Sequence, residues 1–137
     1  MGSKAQNIMD FVLRARAGTF EPNADVFVDE DGGRVVAVVE IAGADADSLR
    51  IGVEDRHLFI AGRRLEAMRL RHGSFVQKEI VYGDFVKRIA LPVAVEYEGV
   101  AASYDGGFLV VALPIAATAY RPTMRTELHI LVKRTHS

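Results

Sequence analysis

The chain predicts an all-β fold, an antiparallel immunoglobulin-like β-sandwich, and three observations carry that prediction. Leu49, Ile51 and Val53 alternate with Arg50, Gly52 and Glu54, and the same period of two returns in Phe85, Lys87, Ile89 and Leu91 and in Leu109, Val111 and Leu113. That spacing puts every second side chain on one face of a strand. Turn residues punctuate the runs at Asp31-Gly32-Gly33, Asp55-Arg56 and Asp105-Gly106-Gly107, and Pro92 and Pro114 each terminate one, as proline does in a sheet. At least six short strands so spaced indicate a sandwich rather than a βαβ arrangement.

Composition narrows the class of protein. A chain of 137 residues suits one domain with short tails and buries a core without disulfide or metal staples. It has no cysteine, which excludes a disulfide framework and a thiolate nucleophile and makes a cytoplasmic location the expectation. Seventeen Lys and Arg against eighteen Asp and Glu leave a net charge of -1, too little to draw the protein to nucleic acid or anionic lipid. The longest largely apolar stretch, residues 108–120, contains Pro114 and is shorter than the roughly 20 residues a spanning helix needs. Asp10 interrupts the amino-terminal apolar patch, and Arg14 and Arg16 follow it, so no signal peptide is expected. Neither a nucleic acid nor a membrane is an expected partner.

In chain order, residues 1–21 form an amino-terminal arm. Ile8, Met9, Phe11, Val12 and Leu13 have roughly helical spacing, over a length marginal for an isolated helix; the arm is either a frayed terminus or an adhesive amphipathic segment. Residues 22–114 form the domain. Ala24-Asp25-Val26-Phe27-Val28-Asp29 reads as an acidic-edged strand, and Arg34-Val35-Val36-Ala37-Val38-Val39-Glu40-Ile41 reads as a strand covered on both faces. The connection 42–48 suits a single helical turn capped by Asp45. Leu58 and Ile60 continue the alternation into a strand that Gly62 ends, and a further strand begins near Phe75. Between them residues 63–73 hold Leu65, Met68 and Leu70 among four arginines. So long a loop is either a functional arm or a solvated excursion. Residues 115–137 form a tail whose Ile130 and Val132 share a face if extended. The tail packs on its own domain or joins a sheet edge of another subunit.

No constellation for catalysis is present. The sequence lacks a Gly-x-Ser-x-Gly elbow, a Gly-x-Gly-x-x-Gly fingerprint and a Gly-x-x-x-x-Gly-Lys loop. His57, His72, His129 and His136 are scattered without metal-ligand spacing, so no metal site, no cofactor and no enzyme activity are expected.

The hairpin Ala102-Ser103-Tyr104-Asp105-Gly106-Gly107-Phe108-Leu109 resembles the signature of the small heat shock proteins, the Hsp20 or α-crystallin domain family, in its non-metazoan type. Gly106 stands where the family usually has Asn, and Phe108 where it has an aliphatic residue. Asp25-Val26-Phe27, Glu40-Ile41-Ala42-Gly43, Leu58-Phe59-Ile60-Ala61-Gly62-Arg63, Tyr82-Gly83-Asp84-Phe85 and Ile89-Ala90-Leu91-Pro92 are similar to the family's successive strands in order and spacing. Ile130-Leu131-Val132 is similar to its aliphatic tail motif.

The resemblance implies an ATP-independent holdase that binds unfolding client proteins and assembles with itself as a homodimer and higher oligomer. It further implies an exchange loop carrying Leu65, Met68, Arg69, Leu70 and Arg71, which crosses to the neighbouring subunit's first strand. The groove for tail or client would be formed by Leu49, Ile51 and Val53 with Val100 and Ala102, and the tail anchors would be Ile130 and Val132. A dimer-interface cation is implied at Lys87, where the family usually has Arg, or at Arg88; lysine lacks the planar fork of arginine. The alternative from another class is an adaptor module of the related co-chaperone sandwiches, binding one folded protein partner.

Overall fold

The alternating runs become strands that sort into two sheets sharing one apolar core. The computed structural model describes residues 20–66 and 72–117, together with the backbone of two short tail strands at 125–126 and 131–132. In the first sheet β1 (Asn23–Asp29) pairs with β2 (Arg34–Glu40), β2 with β7 (Phe108–Pro114), and β7 with β6 (Ala101–Asp105), each antiparallel. In the second, β3 (Arg50–Glu54) pairs with β4 (His57–Arg64) and β4 with β5 (Gly83–Ala90), again antiparallel. This is an antiparallel β-sandwich, as the alternation predicts.

The faces follow the period of two. Val35, Ala37 and Val39 of β2 meet Leu109, Val111 and Leu113 of β7, Ile51 and Val53 of β3, and Leu58 and Ile60 of β4 in the core. Phe85 is the largest side chain fully enclosed there. On the other face of β2, Val36 is buried and Val38 half-buried, so the strand is fully covered on one side and partly on the other.

Local chemistry sets the connections. Residues 46–48 make one 3-10 turn, and the Asp45 carboxylate accepts a hydrogen bond from Asp47 N–H at 3.2 Å, capping it as its residue type predicts. The β3–β4 hairpin places Asp55 and Arg56 at φ 49° and 65°. Two-residue hairpins of the I′ type need such values, but a residue with a Cβ is strained there. Arg56 is held by its neighbours: its guanidinium donates to the carbonyls of Leu91 and Pro92, at 3.3 and 2.8 Å, and its own carbonyl accepts from Leu91 N–H at 2.8 Å.

Two boundaries differ from the sequence reading. Gly62 does not end its strand, because β4 continues to Arg64. A Cβ at Gly62 would lie 2.8 Å from Phe85 and 2.9 Å from Leu49; the glycine admits the phenyl ring and is not a terminator. The strand expected near Phe75 is likewise absent: residues 72–82 carry no strand, and β5 begins at Gly83. Extended backbone becomes a strand only beside a neighbour that takes its hydrogen bonds, and residues 72–82 have none among the described residues.

The tail returns to the domain. β8 (Arg125–Thr126) pairs antiparallel with Gly52 and Val53 of β3, and β9 (Leu131–Val132) pairs in parallel with Ser103 and Tyr104 of β6.

Candidate functional site

β3 and β6 each stand next to a tail strand at the edge of their own sheet. Leu49, Ile51, Val53 and Ala102 are buried beneath these edges and Val100 is half-buried, so the apolar residues read as groove lining also belong to the core. Val132 lies in β9, opposite Tyr104 in register. Ile130 lies outside the described residues.

Tyr104 fixes the β6 edge in place. Its phenol donates to the Ile41 carbonyl at 2.7 Å and accepts from Ala44 N–H at 3.2 Å. Ile41 N–H in turn donates to the Gly107 carbonyl at 2.7 Å. Gly106 and Gly107 sit at φ 59° and 85°, and a Cβ at Gly107 would lie 3.4 Å from the Ala42 backbone. Left-handed backbone at both positions is what the tight hairpin demands, so glycine in place of the usual Asn at 106 preserves it. Phe108 projects outward and is 45% exposed. It lines a cleft of about 390 Å³ with Phe20, Ala42 and Arg64.

A second candidate surface lies at the free edge of the first sheet. Among the described residues β1 has β2 on one side only, and it leaves Val26, Phe27 and Val28 exposed. An unpaired edge of this kind is a template for another strand. Its acidic border is partly self-satisfied. The Asp29 carboxylate accepts from Gly32 N–H at 2.9 Å and from Arg34 Nε at 3.1 Å, and these partners, the backbone bond first, hold its pKa below the ordinary carboxylate value. Asp25, Glu30 and Asp31 remain exposed.

The connection from β4 to β5 is longer than the sequence reading made it, running through residues 65–82. Leu65 is exposed, its N–H donating to the Gly43 carbonyl at 3.0 Å. Met68, Arg69, Leu70 and Arg71 lie outside the described residues. Sequence reasoning missed the apolar residues that follow them: Phe75, Val76, Ile80 and Val81 are all at least 48% exposed. Their signal was present. Two adjacent apolar pairs separated by Gln77-Lys78-Glu79 cannot lie on one face of a strand of period two, so no single sheet buries them all.

Lys87 and Arg88 are engaged within the chain. Lys87 shares the inward side of β5 with Phe85 and Ile89, and its Nζ lies 3.2 Å from the Glu21 carboxylate. Arg88 points the other way and donates to His57 Nε2 at 3.2 Å. Since arginine only donates, Nδ1 of that ring carries the proton and donates to the Asp55 carbonyl at 3.0 Å. Among the described residues no group of His, Asp and Glu has the geometry of a metal site, and no helix is long and apolar enough to cross a membrane.

Comparison with known proteins places this geometry among relatives. A model described as the Hsp20/alpha crystallin family matches residues 27–131. The alpha-crystallin of Mycobacterium tuberculosis is 33% identical over 105 residues, which cover 76% of this chain and 67% of that protein. Among solved structures, a small heat-shock protein from Xylella fastidiosa superimposes with a TM-score of 0.61 at 26% identity, covering 77% of this chain and 96% of that one. HSP18.5 from E. histolytica superimposes with a TM-score of 0.60 at 25% identity, over 77% and 98%.

Proposed function

The chain belongs to the Hsp20/alpha crystallin family of small heat shock chaperones, a non-enzymatic family, and from that premise we propose that it is a cytoplasmic, ATP-independent holdase working as an assembly of dimers. One observation carries the reading: a domain whose core is already closed still holds Phe75, Val76, Ile80 and Val81 in solvent on a segment that has no strand partner among the described residues. Apolar surface of this kind in a folded domain is reserved for a partner. The first partner is a second copy. Residues 65–71 and the adjoining 72–82 cross to the neighbouring subunit and add to the open edge of its β1, with arginines of the loop facing Asp25, Glu30 and Asp31. Charges at such a rim select register and partner more than they add affinity. Lys87 or Arg88 adds a cation to that interface after exchanging its internal partner.

The second partner is a client. The side of the sandwich where β3 and β6 lie is the binding groove, and the tail with its anchors Ile130 and Val132 competes for it, from its own domain or from a neighbouring subunit. Two such aliphatic side chains contribute about 3 to 6 kcal/mol before ordering costs. That is weak enough to exchange with the exposed segments of an unfolding protein. The amino-terminal arm, residues 1–21, adds apolar surface to the client contact. The test is direct. Heating an aggregation-prone protein with a stoichiometric excess of this chain and no nucleotide should suppress light scattering; undiminished scattering would contradict the holdase reading.

A further inference from the structure

Segment 72–82 has no strand partner among the described residues, yet its side chains make defined contacts. The phenyl ring of Phe20 meets buried Phe85 edge-on, with centroids 5.6 Å apart and planes at 62°. The Arg64 guanidinium carbon lies 4.8 Å from the centre of the Phe20 ring and 5.9 Å from that of Tyr82. The Lys78 ammonium lies 4.8 Å from the Tyr82 ring and 5.2 Å from the Phe75 ring. From Phe20, which rests on Phe85, ring and cation therefore alternate outward through Arg64, Tyr82, Lys78 and Phe75, every cation within the distance at which a π face attracts a charge.

The two ends of this ladder differ in how firmly they are fixed. Arg64 is the last residue of β4, bridged through its backbone to Ala44 and paired with Gly83. Lys78 is on the unpaired segment, where its ammonium also donates to the Ile80 carbonyl at 3.2 Å. Among the described residues neither cation forms an ion pair with a carboxylate, so the rings are their principal partners. A fixed residue at one end and a segment outside any strand at the other make the ladder an arm rest for the segment, aiming it through side chains while taking up one backbone acceptor, the Ile80 carbonyl.

We propose that the Phe20–Arg64–Tyr82–Lys78–Phe75 ladder positions segment 72–82 for pairing with the β1 edge of a second copy, and that Arg64, Tyr82 and Lys78 are positioning residues for assembly. The inference rests on the pairing proposed above and adds what sets its geometry. Holding the segment near its bound path removes part of the ordering entropy from association. Because Phe20 lies at the root of the amino-terminal arm, the ladder also ties that root to the same segment. Neutralising Lys78, as acylation of its amine would, removes two of the ring contacts at once and weakens assembly without touching the core.

Dimer dissociation measured by sedimentation tests this with the full chain. Lys78→Met and Tyr82→Leu should each raise the dissociation constant about five- to tenfold, the scale of one or two exposed cation–π contacts. Lys78→Arg and Tyr82→Phe, which keep the cation and the ring, should stay within about twofold of the parent. Lys78 is at the surface, so its Met variant should melt as the parent does even if the Tyr82→Leu variant is destabilised. Parent-like dissociation of Lys78→Met, or a Lys78→Arg variant as weak as Lys78→Met, would overturn the ladder's role. A third variant, Val76, Ile80 and Val81 all replaced by Ser, separates the two levels. If it weakens the dimer while Lys78→Met does not, only the ladder fails; if it dimerises like the parent, the pairing itself fails and the ladder with it.

Discussion

The hairpin from 101 to 114 and the segment from 72 to 82 are both rich in apolar residues, and the domain treats them in opposite ways. In the hairpin the alternate residues Leu109, Val111 and Leu113 are completely buried, the turn is fixed by Gly106 and Gly107, and Tyr104 is bonded to Ile41 and Ala44. In the segment the apolar residues come in adjacent pairs, no strand forms, and side-chain contacts to Arg64 and Lys78 replace backbone pairing. On the proposed reading, folding ends with the first region, which completes its interactions within one chain, and assembly begins with the second, which leaves apolar area exposed.

Substitutions should separate the regions by size of effect. Phe85→Ala empties the centre of the core and should destabilise the domain by about 3–5 kcal/mol, measured by urea unfolding. Tyr104→Phe deletes the one hydroxyl that bridges Ile41 and Ala44 and leaves both backbone groups short of a partner. A loss of about 1–2 kcal/mol is expected in the same assay. Asp29 gives a smaller and pH-dependent effect. Its folded pKa is depressed, so its contribution is fully present above the unfolded value near 3.8 and disappears as the pH falls through the lower folded value. Asp29→Asn should therefore narrow the stability difference from the parent only below about pH 4, as followed by thermal melts across pH. The exposed pair Val76→Ser and Ile80→Ser should leave unfolding within about 0.5 kcal/mol of the parent. A large loss there would mean that segment 72–82 belongs to the folding unit and would erase the contrast with the hairpin.

The sandwich was legible in the sequence because its strands alternate with a period of two and end at Gly and Pro. The Asp45 cap, the Asp55-Arg56 turn and the 105–108 hairpin all lie where the residue types put them. The errors have physical causes. Gly62 resembles a strand end in sequence, but it is the space that Phe85 and Leu49 fill, a contact 20 or more residues away for Phe85 that no local pattern encodes. Phe75 resembles a strand start because the residues around it favour extended backbone, while strand formation depends on a neighbour that is absent among the described residues. The sequence points to residues 65–71 as the arm, whereas the exposed apolar pairs lie just beyond it at 75–76 and 80–81. The ring–cation ladder had no sequence signal, since Phe20, Arg64, Tyr82 and Lys78 come together only when β4 and β5 pair.

On the proposed reading residues 72–82 keep their backbone amides available for a second copy. Hydrogen–deuterium exchange of those amides, followed as a function of protein concentration, tests it most directly. The account predicts fast exchange at high dilution and marked protection as concentration rises, with the amides of β2 and β7 protected throughout. Protection of residues 72–82 that is the same at every concentration, while the mass of the assembly changes, would contradict it.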